Sequence, residues 1–336
     1  MIPKGNLQKI DNLSVNQSVS WKAKIGLLLG RYGTLLCLGV LVIVFSALRP
    51  TIFPTFGNMI NVFNQISLLG IIAGGLTVCM VMNDFDLSIG SVATLAAVLT
   101  AMALPNINIP LGILLVLLVG LFVGLCNGLL VTVLGVSAFL VTLGMMTILT
   151  GVNYWLTTGS GAILYQGIPR EFLTIGKGSF LNIPYLIFFL IFFLLVLHLI
   201  LNHTNTGRRM YSIGGNLQAA RFSGINVRRL RITGFMISSF LATITGILLV
   251  ARVSIAEPTI GDRFLFDSFT VVFLGAATIK IGQFHILGTL VGALIMGCLF
   301  SGFTILNVPF ALQQMTSGVI LIAAVAASGV MRRYRK

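Results

Sequence analysis

The sequence predicts an all-α polytopic membrane protein of about ten transmembrane helices, some interrupted, with both termini in the cytoplasm. Three observations carry this expectation. The chain is 57% hydrophobic and 8% charged, with a mean hydropathy of +1.05, whereas soluble domains are about one quarter charged. Apolar runs of about 20 residues, enough for a helix to cross a hydrocarbon core of roughly 30 Å, recur from Tyr32 to Val330. Basic residues gather at both ends: Lys4, Lys9, Lys22, Lys24 and Arg31 before the first run, Arg332, Arg333, Arg335 and Lys336 after the last. The short alternating segments of a membrane β-barrel are missing. Cationic loops are retained on the cytoplasmic side, which accounts for the net charge of +14 without nucleic acid as a partner.

Taken in order, residues 1–30 are expected to form a cytoplasmic N-terminal tail. They lack the apolar core and small-residue cleavage site of a signal peptide, and an amphipathic stretch is expected near Trp21. Residues 31–336 then form one transmembrane domain. Hydropathy places spans near 32–49, 58–82, 88–104, 111–134, 137–157, 183–201, 232–252, 267–279, 286–306 and 310–330. Counted from a cytoplasmic N-terminus, the sixth span ends inside at His203, so the segment 202–231 faces the cytoplasm. The opposite side receives Arg49–Gly57, Pro105–Pro110, Thr158–Asn182 and Val253–Phe266, which Pro and Gly punctuate as loops. The loop 158–182 is long enough for a short extra element. Arg49, Arg170, Lys177, Arg252 and Arg263 form a basic minority on that side.

Two spans are irregular. Residues 267–279 are too few to cross alone, so a broken or re-entrant segment continuing into Lys280–His285 is expected. The second span likewise runs into Asn83-Asp84-Phe85-Asp86-Leu87-Ser88-Ile89-Gly90 before an apolar helix resumes. The stretches LTVCMVMNDFDLSIGSVATLAAVL and FTVVFLGAATIKIGQFHILGTLVGAL share an outline of apolar run, polar break and small-residue helix, as an internal repeat would; interrupted helices in such repeats mark transport pathways. Gly120, Gly124 and Gly128, and Gly288 with Gly292, put small residues on one helix face, for packing within the chain or between two chains.

Asp84 and Asp86 are the only acids between Asp11 and Glu171. A carboxylate inside a span costs on the order of 2.5–3.5 kcal/mol, so something must offset it. These groups line a solute pathway, or Asp86 or Ser88 caps the helix that follows; the two readings are compatible, since a cap at a mid-membrane break lines a cavity. Asn64, Gln65, Asn127, Thr142 and Asn153 add polar groups within spans and are candidate pathway residues alongside Asp84, Asp86 and Ser88; each alone also suits an interhelical hydrogen bond. Cys37, Cys79, Cys126 and Cys298 lie in apolar spans, and neither they nor His198, His203 and His285 have metal-ligand spacing. No phosphate loop, His-Glu-xx-His or Gly-x-Ser-x-Gly motif occurs, so no cofactor and no catalysis are expected of this chain itself.

The segment from His203 to Arg231 holds six of the 21 Lys and Arg residues and none of the seven acids. Attraction to anionic lipid would need only scattered cations. This segment is patterned instead: Gly207-Arg208-Arg209, Gly214-Gly215-Asn216, Ala220-Arg221, then Ser223-Gly224. Glycines after Ile213 are expected to end a first element, and LQAARF from Leu217 to form a short helix stopping at Gly224. A short helix bounded by glycines suits a groove on a soluble partner.

At DFDLSIGS (84–91), VSAFLVTLGMMTILTGV (136–152), TGRRMYSIGGNLQAARFSGINV (206–227) and LGTLVGALIMG (287–297), the chain resembles the permease family of bacterial ATP-binding-cassette (ABC) importers for ribose, xylose, galactose, autoinducer-2 and related solutes. The resemblance covers most of the chain after residue 50. It implies a multi-pass subunit of the bacterial inner membrane that moves a sugar or sugar-like solute inward. A second permease, identical or paralogous, a cytoplasmic ATPase that binds the ATP and Mg, and an extracytoplasmic binding protein complete the assembly. It also implies that the coupling element contacting the ATPase lies at Gly215–Gly224, within the set Gly207, Arg208, Arg209, Gly214, Gly215, Asn216, Ala220, Arg221, Ser223 and Gly224. The chain departs from the family where Asn83-Asp84 replaces Gly-Gly, where Leu265-Phe266-Asp267 keeps only Asp267 of a Glu-Leu-Asp motif, and where Ile281-Gly282-Gln283-Phe284-His285 replaces a glycine-rich break. These departures suggest one half of a heterodimer. Nucleoside or branched-chain amino-acid import, and an independent secondary transporter using Asp84 and Asp86 as a relay, stand as alternatives.

Overall fold

In a computed structural model, residues 21–159, 167–279 and 282–333 are described, and side chains at 33–159, 167–279 and 282–326. Every apolar segment expected to be a span is helical: α1 (Trp21–Leu48), α2 (Phe56–Val81), α3 (Ile89–Ala103), α4 (Ile109–Val133), α5 (Ala138–Leu156), α7 (Tyr185–His203), α10 (Val227–Val253), α11 (Arg263–Ala276), α12 (Ile286–Ile305) and α13 (Phe310–Arg333). Between them lie α6 (Arg170–Lys177), α8 (Asn205–Gly215) and α9 (Leu217–Phe222). Six helices, α2, α4, α5, α7, α10 and α12, are long and apolar enough to cross a membrane by themselves, and shorter apolar stretches occur in α1, α3 and α13. At 14 residues, α11 is about 21 Å long, short of the hydrocarbon core.

Four expectations shift. The first helix begins at Trp21, inside the segment read as a tail; residues 1–20 lie outside the described set, as do Lys280, Ile281 and the terminal residues 334–336. The eighth span begins at Arg263 rather than 267, because Asp262 rather than Phe266 ends the preceding turn. The architecture is not purely helical: Ser179–Phe180 pairs antiparallel with Ile183–Pro184 as β1 and β2. Leu181 and Asn182 both take positive φ (50° and 63°), the geometry of a two-residue primed turn whose twist matches the strands. This hairpin and α6 are the extra structure within 158–182; residues 160–166 of that loop lie outside the described set. Finally, Gly214 and Gly215 are the last residues of α8 rather than its terminators.

Side-chain caps set many helix starts. Thr55, Asn108, Thr204, Asn216 and Asn226 each accept a hydrogen bond from the backbone N–H three residues on, satisfying a donor the helix cannot use internally. The core lies along α2 and α10, whose central residues are buried on all sides. Large apolar residues point outward from the peripheral helices, including Phe122 (65% exposed) on α4, Ile148 (62%) on α5 and Phe192 (58%) on α7. A hydrocarbon solvent explains that distribution.

Glycine seams pack the chain on itself. Added Cβ atoms at Gly124 and Gly128 would sit 2.7 Å from Phe235 O and Ile232 Cα of α10, and one at Gly120 would strike Thr243. Gly292 faces Val271, and Gly288 faces Gly275, both on α11. The small-residue stripes therefore serve intrachain contact; backbones approach closely where no Cβ intervenes.

Candidate functional site

The polar break between α2 and α3 is the centre of the site. Met82 ends α2, and Asn83 takes a left-handed conformation (φ 61°) that stops helical hydrogen bonding. The chain then crosses Asp84–Ser88 before α3 begins. Asp86 is fully buried. Its Oδ1 accepts from Ser88 N at 3.0 Å and Ser88 Oγ at 2.6 Å, and its Oδ2 accepts from Ser238 Oγ of α10 at 2.8 Å. Asn127 of α4 donates Nδ2 to Ser88 Oγ at 2.9 Å. Thr142 of α5 accepts from Leu87 N at 3.0 Å and donates to Phe85 O at 3.1 Å. Asn153, about three turns farther along the same face of α5, donates to Ser91 O at 3.2 Å. Three helices, α4, α5 and α10, thus supply hydrogen bonds that an interrupted segment needs away from water. Ser88 sits at the N-cap position of α3 but its side chain makes no cap bond; the carboxylate of Asp86 accepts the N–H of Ser88 itself, just ahead of the helix.

Asp84 faces the other way. It forms a two-pronged ion pair with Arg231, the fifth residue of α10, Arg231 Nε to Oδ2 at 2.7 Å and Nη2 to Oδ1. The carboxylate is 4% exposed and the arginine 17%. Asp84 and Asp86 therefore separate into a charge pair and a hydroxyl-bound group, with partners on one face of α10 at Arg231 and Ser238, seven residues apart.

The second break follows α11. Ala277 ends the helix, Ile279 takes φ 52°, and Gly282 takes φ 74°. Both broken helices stop at a left-handed non-glycine residue within three positions of the last helical one, so the outline of the repeat is present in the backbone. Thr77 and Thr289 hydroxyls meet at 2.7 Å, tying α2 to α12. Phe85, Phe269, Phe273 and Phe284 form a ladder from the first break to the second, with ring centroids 6.1, 6.4 and 5.6 Å apart, within aromatic contact range.

The basic segment reaches both breaks. On α8, an added Cβ at Gly214 would strike Val81 O at the end of α2, and Gly207 packs as closely on the end of α7. Asn83 donates Nδ2 to Gly214 O at 2.5 Å. Tyr211 Oη donates to Phe284 O at 3.1 Å, and burial pushes its phenol up to about 12. An added Cβ at Gly215 would meet nothing within 4 Å, Asn216 caps α9, and Ala220 is buried. Ser223 closes α9, and Gly224 (φ 75°) makes the left-handed stop. Arg208 and Arg209 are exposed, and Arg208 bonds Asn205. Phe222 at the tip of α9 is 90% exposed. Arg221 turns to a cavity shared with Arg228 and Arg231.

Asn64 and Gln65 stand apart. They lie in the first half of α2, about 25 Å along the helix from the break. The backbone O of Asn64 accepts from Arg252 at 3.5 Å, and Gln65 is exposed. Residues not anticipated from sequence are Arg231, Ser238, Tyr211 and Thr94. Thr94 accepts from Gly261 N at 3.0 Å and faces Asp262 at 3.4 Å, holding α3 against the turn before α11. For Arg231, Ser238 and Thr94 the available signal was positional, a polar group on the buried face of an apolar helix or at its edge; Tyr211 lies on the polar helix α8.

Residues 58–325 match the family described as branched-chain amino acid transport system / permease component. Among individual relatives, the ribose import permease protein of Haemophilus influenzae is 32% identical over 92% of this chain and 96% of its own. The L-arabinose transport system permease protein of Escherichia coli is 33% identical over 96% and 98%. The D-allose transport system permease protein of the same species is 30% identical over 88% and 90%. No solved structure matches the chain.

Proposed function

The chain belongs to the branched-chain amino acid transport system / permease component family, and on that premise we propose that it is the transmembrane subunit of an ABC importer that carries a sugar into the cytoplasm. The observation that carries the reading is that near-full-length relatives are permeases for three different sugars, ribose, arabinose and allose. Import of branched-chain amino acids or nucleosides is less well supported, despite the family description, because these relatives are sugar permeases. The secondary-transporter reading is weaker too. Asp84 is held by Arg231 and Asp86 by two serines, whereas a relay needs a carboxyl that exchanges protons with water.

In this reading about ten helices cross the inner membrane of a bacterium, both termini are cytoplasmic, and residues 31–336 form one domain. A second permease, identical or paralogous, encloses the pathway with this one. A separate ATPase binds ATP and Mg, and an extracytoplasmic binding protein delivers the solute. The segment 202–231 meets the ATPase, with Phe222 on α9 as an apolar anchor of the kind that dominates binding at interfaces and the exposed Arg208 and Arg209 on α8. Force applied there reaches both breaks through Gly214–Asn83 and Tyr211–Phe284. The buried group of Asp86, Ser88, Asn127, Thr142 and Asn153 holds the first break, and Asn64 and Gln65 stand nearer the outer mouth.

The test is reconstitution of the chain in liposomes with its ATPase, partner permease and binding protein. ATP-dependent sugar uptake is expected, and Phe222→Asp should abolish copurification of the ATPase. Uptake by this chain alone, driven by an ion gradient, would overturn the reading.

A further inference from the structure

A cavity of about 500 Å³ opens between the C-terminal turn of α4, the helix α9 and the first turn of α10. Arg221, Arg228 and Arg231 line it, together with apolar Val131, Leu217 and Ile225. Arg231 is half of the single ion pair among the described residues, so Arg221 and Arg228 bring positive charge into the cavity without an acidic partner there. Like charges this close repel unless an anion joins them. The start of α10 adds the positive end of its dipole. Guanidinium forks match phosphate oxygens two at a time.

One wall says where the anion comes from. Val131 lies in the last turns of α4, the most apolar of the membrane-length helices. Beside it Leu129, Leu130, Val133 and Leu134 are 36–66% exposed, the surface of a helix bathed by acyl chains. The cationic cavity thus abuts the end of a helix whose neighbouring residues in sequence are apolar and exposed. A soluble partner's carboxylates would satisfy the arginines but leave that apolar surface unused. We infer that the cavity binds the phosphodiester headgroup of an anionic phospholipid, with an acyl chain along the end of α4. Basic pockets between helices at the cytoplasmic boundary select such headgroups. On the proposed topology the lipid comes from the cytoplasmic leaflet, but the binding itself is independent of the transport reading.

The test is a lipid titration of the full-length chain in detergent, followed by native mass spectrometry with phosphatidylglycerol, phosphatidylcholine and inorganic phosphate as probes. Phosphatidylglycerol should bind in preference to phosphatidylcholine, and millimolar inorganic phosphate should not displace it. Arg221→Gln with Arg228→Gln should weaken phosphatidylglycerol about 30-fold, and either single variant about fivefold. Should the double variant fail to give a folded, monodisperse protein, the single variants carry the test. Arg229→Gln removes the same charge outside the cavity and should leave affinity within about twofold. Equal losses from Arg229→Gln, no headgroup preference, unchanged affinity in the cavity variants, or displacement by inorganic phosphate would each overturn the inference.

Discussion

Replacing Arg231 with Met tests how the first break is held. The substitution keeps much of the side-chain volume and removes the charge. It leaves Asp84, 4% exposed, as a carboxylate with no cation beside it, and stranding one member of a buried pair costs about 3–5 kcal/mol. Asp84→Asn is milder. Arg231 is 17% exposed, so its guanidinium can lean toward water, and the loss is about 1–3 kcal/mol. The double variant Asp84→Asn/Arg231→Met should be more stable than Arg231→Met alone, because no isolated charge remains. Their coupling should lie in the range of about 0.5–3 kcal/mol seen for contacting residues. Reversible unfolding of the full chain in mixed micelles, followed by circular dichroism, gives all three free energies. A loss below about 1 kcal/mol for Arg231→Met, or a double variant equal to the sum of the singles, would refute the ion pair as the element holding Asp84 in place.

Three further expectations follow from the same contacts. Gly124→Ile forces a branched side chain against the backbone of α10, where a Cβ alone would lie 2.7 Å from Phe235 O, and should abolish folded protein; Gly144→Ala, with nothing within 4 Å, should leave the melting temperature unchanged or raised. Tyr211→Phe deletes the bond to Phe284 O and should cost about 0.5–1.5 kcal/mol, while lowering uptake per ATP hydrolysed by the reconstituted importer. Because the folded phenol titrates at about 12, that stabilisation should be complete below the unfolded value of about 10 and fade only as pH rises through the folded one; a Tyr211-dependent change near neutral pH would contradict the assignment. Asn127→Leu removes the donor to Ser88 Oγ and should destabilise by about 1–3 kcal/mol, measured by the same unfolding titration.

Much of the fold is legible because membrane segments answer to a local rule. A span must be apolar over its own length and satisfy its backbone internally, so ten helices follow from hydropathy, nine of them within about five residues at either end and the first beginning eleven residues early, at Trp21. The caps at Asn216 and Thr204 and the left-handed stop at Gly224 are equally local. The glycine stripes were visible, but their partner was not: whether Gly120, Gly124 and Gly128 face a second chain or α10 depends on where α10 lies. The start of α11 was misjudged because the charged residues Arg263 and Asp267 flank Phe264-Leu265-Phe266, a short apolar stretch that the helix nevertheless includes.

The candidate site divides the same way. A polar break in an apolar helix announces itself, and Asp84, Asp86 and Ser88 stand out by rarity. Their roles do not, since the groups that complete them come from afar: Arg231 lies 147 residues from Asp84, and Ser238 lies 152 from Asp86. Nor does hydropathy tell Asn127, which joins the buried network, from Gln65, which faces outward. The sequence by itself determined a basic, helix-rich membrane chain with two interrupted segments, a patterned polar loop and a family likeness, because insertion and helix formation act on neighbouring residues. Only the tertiary structure decided that one aspartate is charge-paired and the other hydroxyl-bound, that the loop grips both breaks, and that three arginines share a cavity. Those outcomes depend on which faces of distant helices meet, and burial makes each unpaired polar group costly enough to select one arrangement.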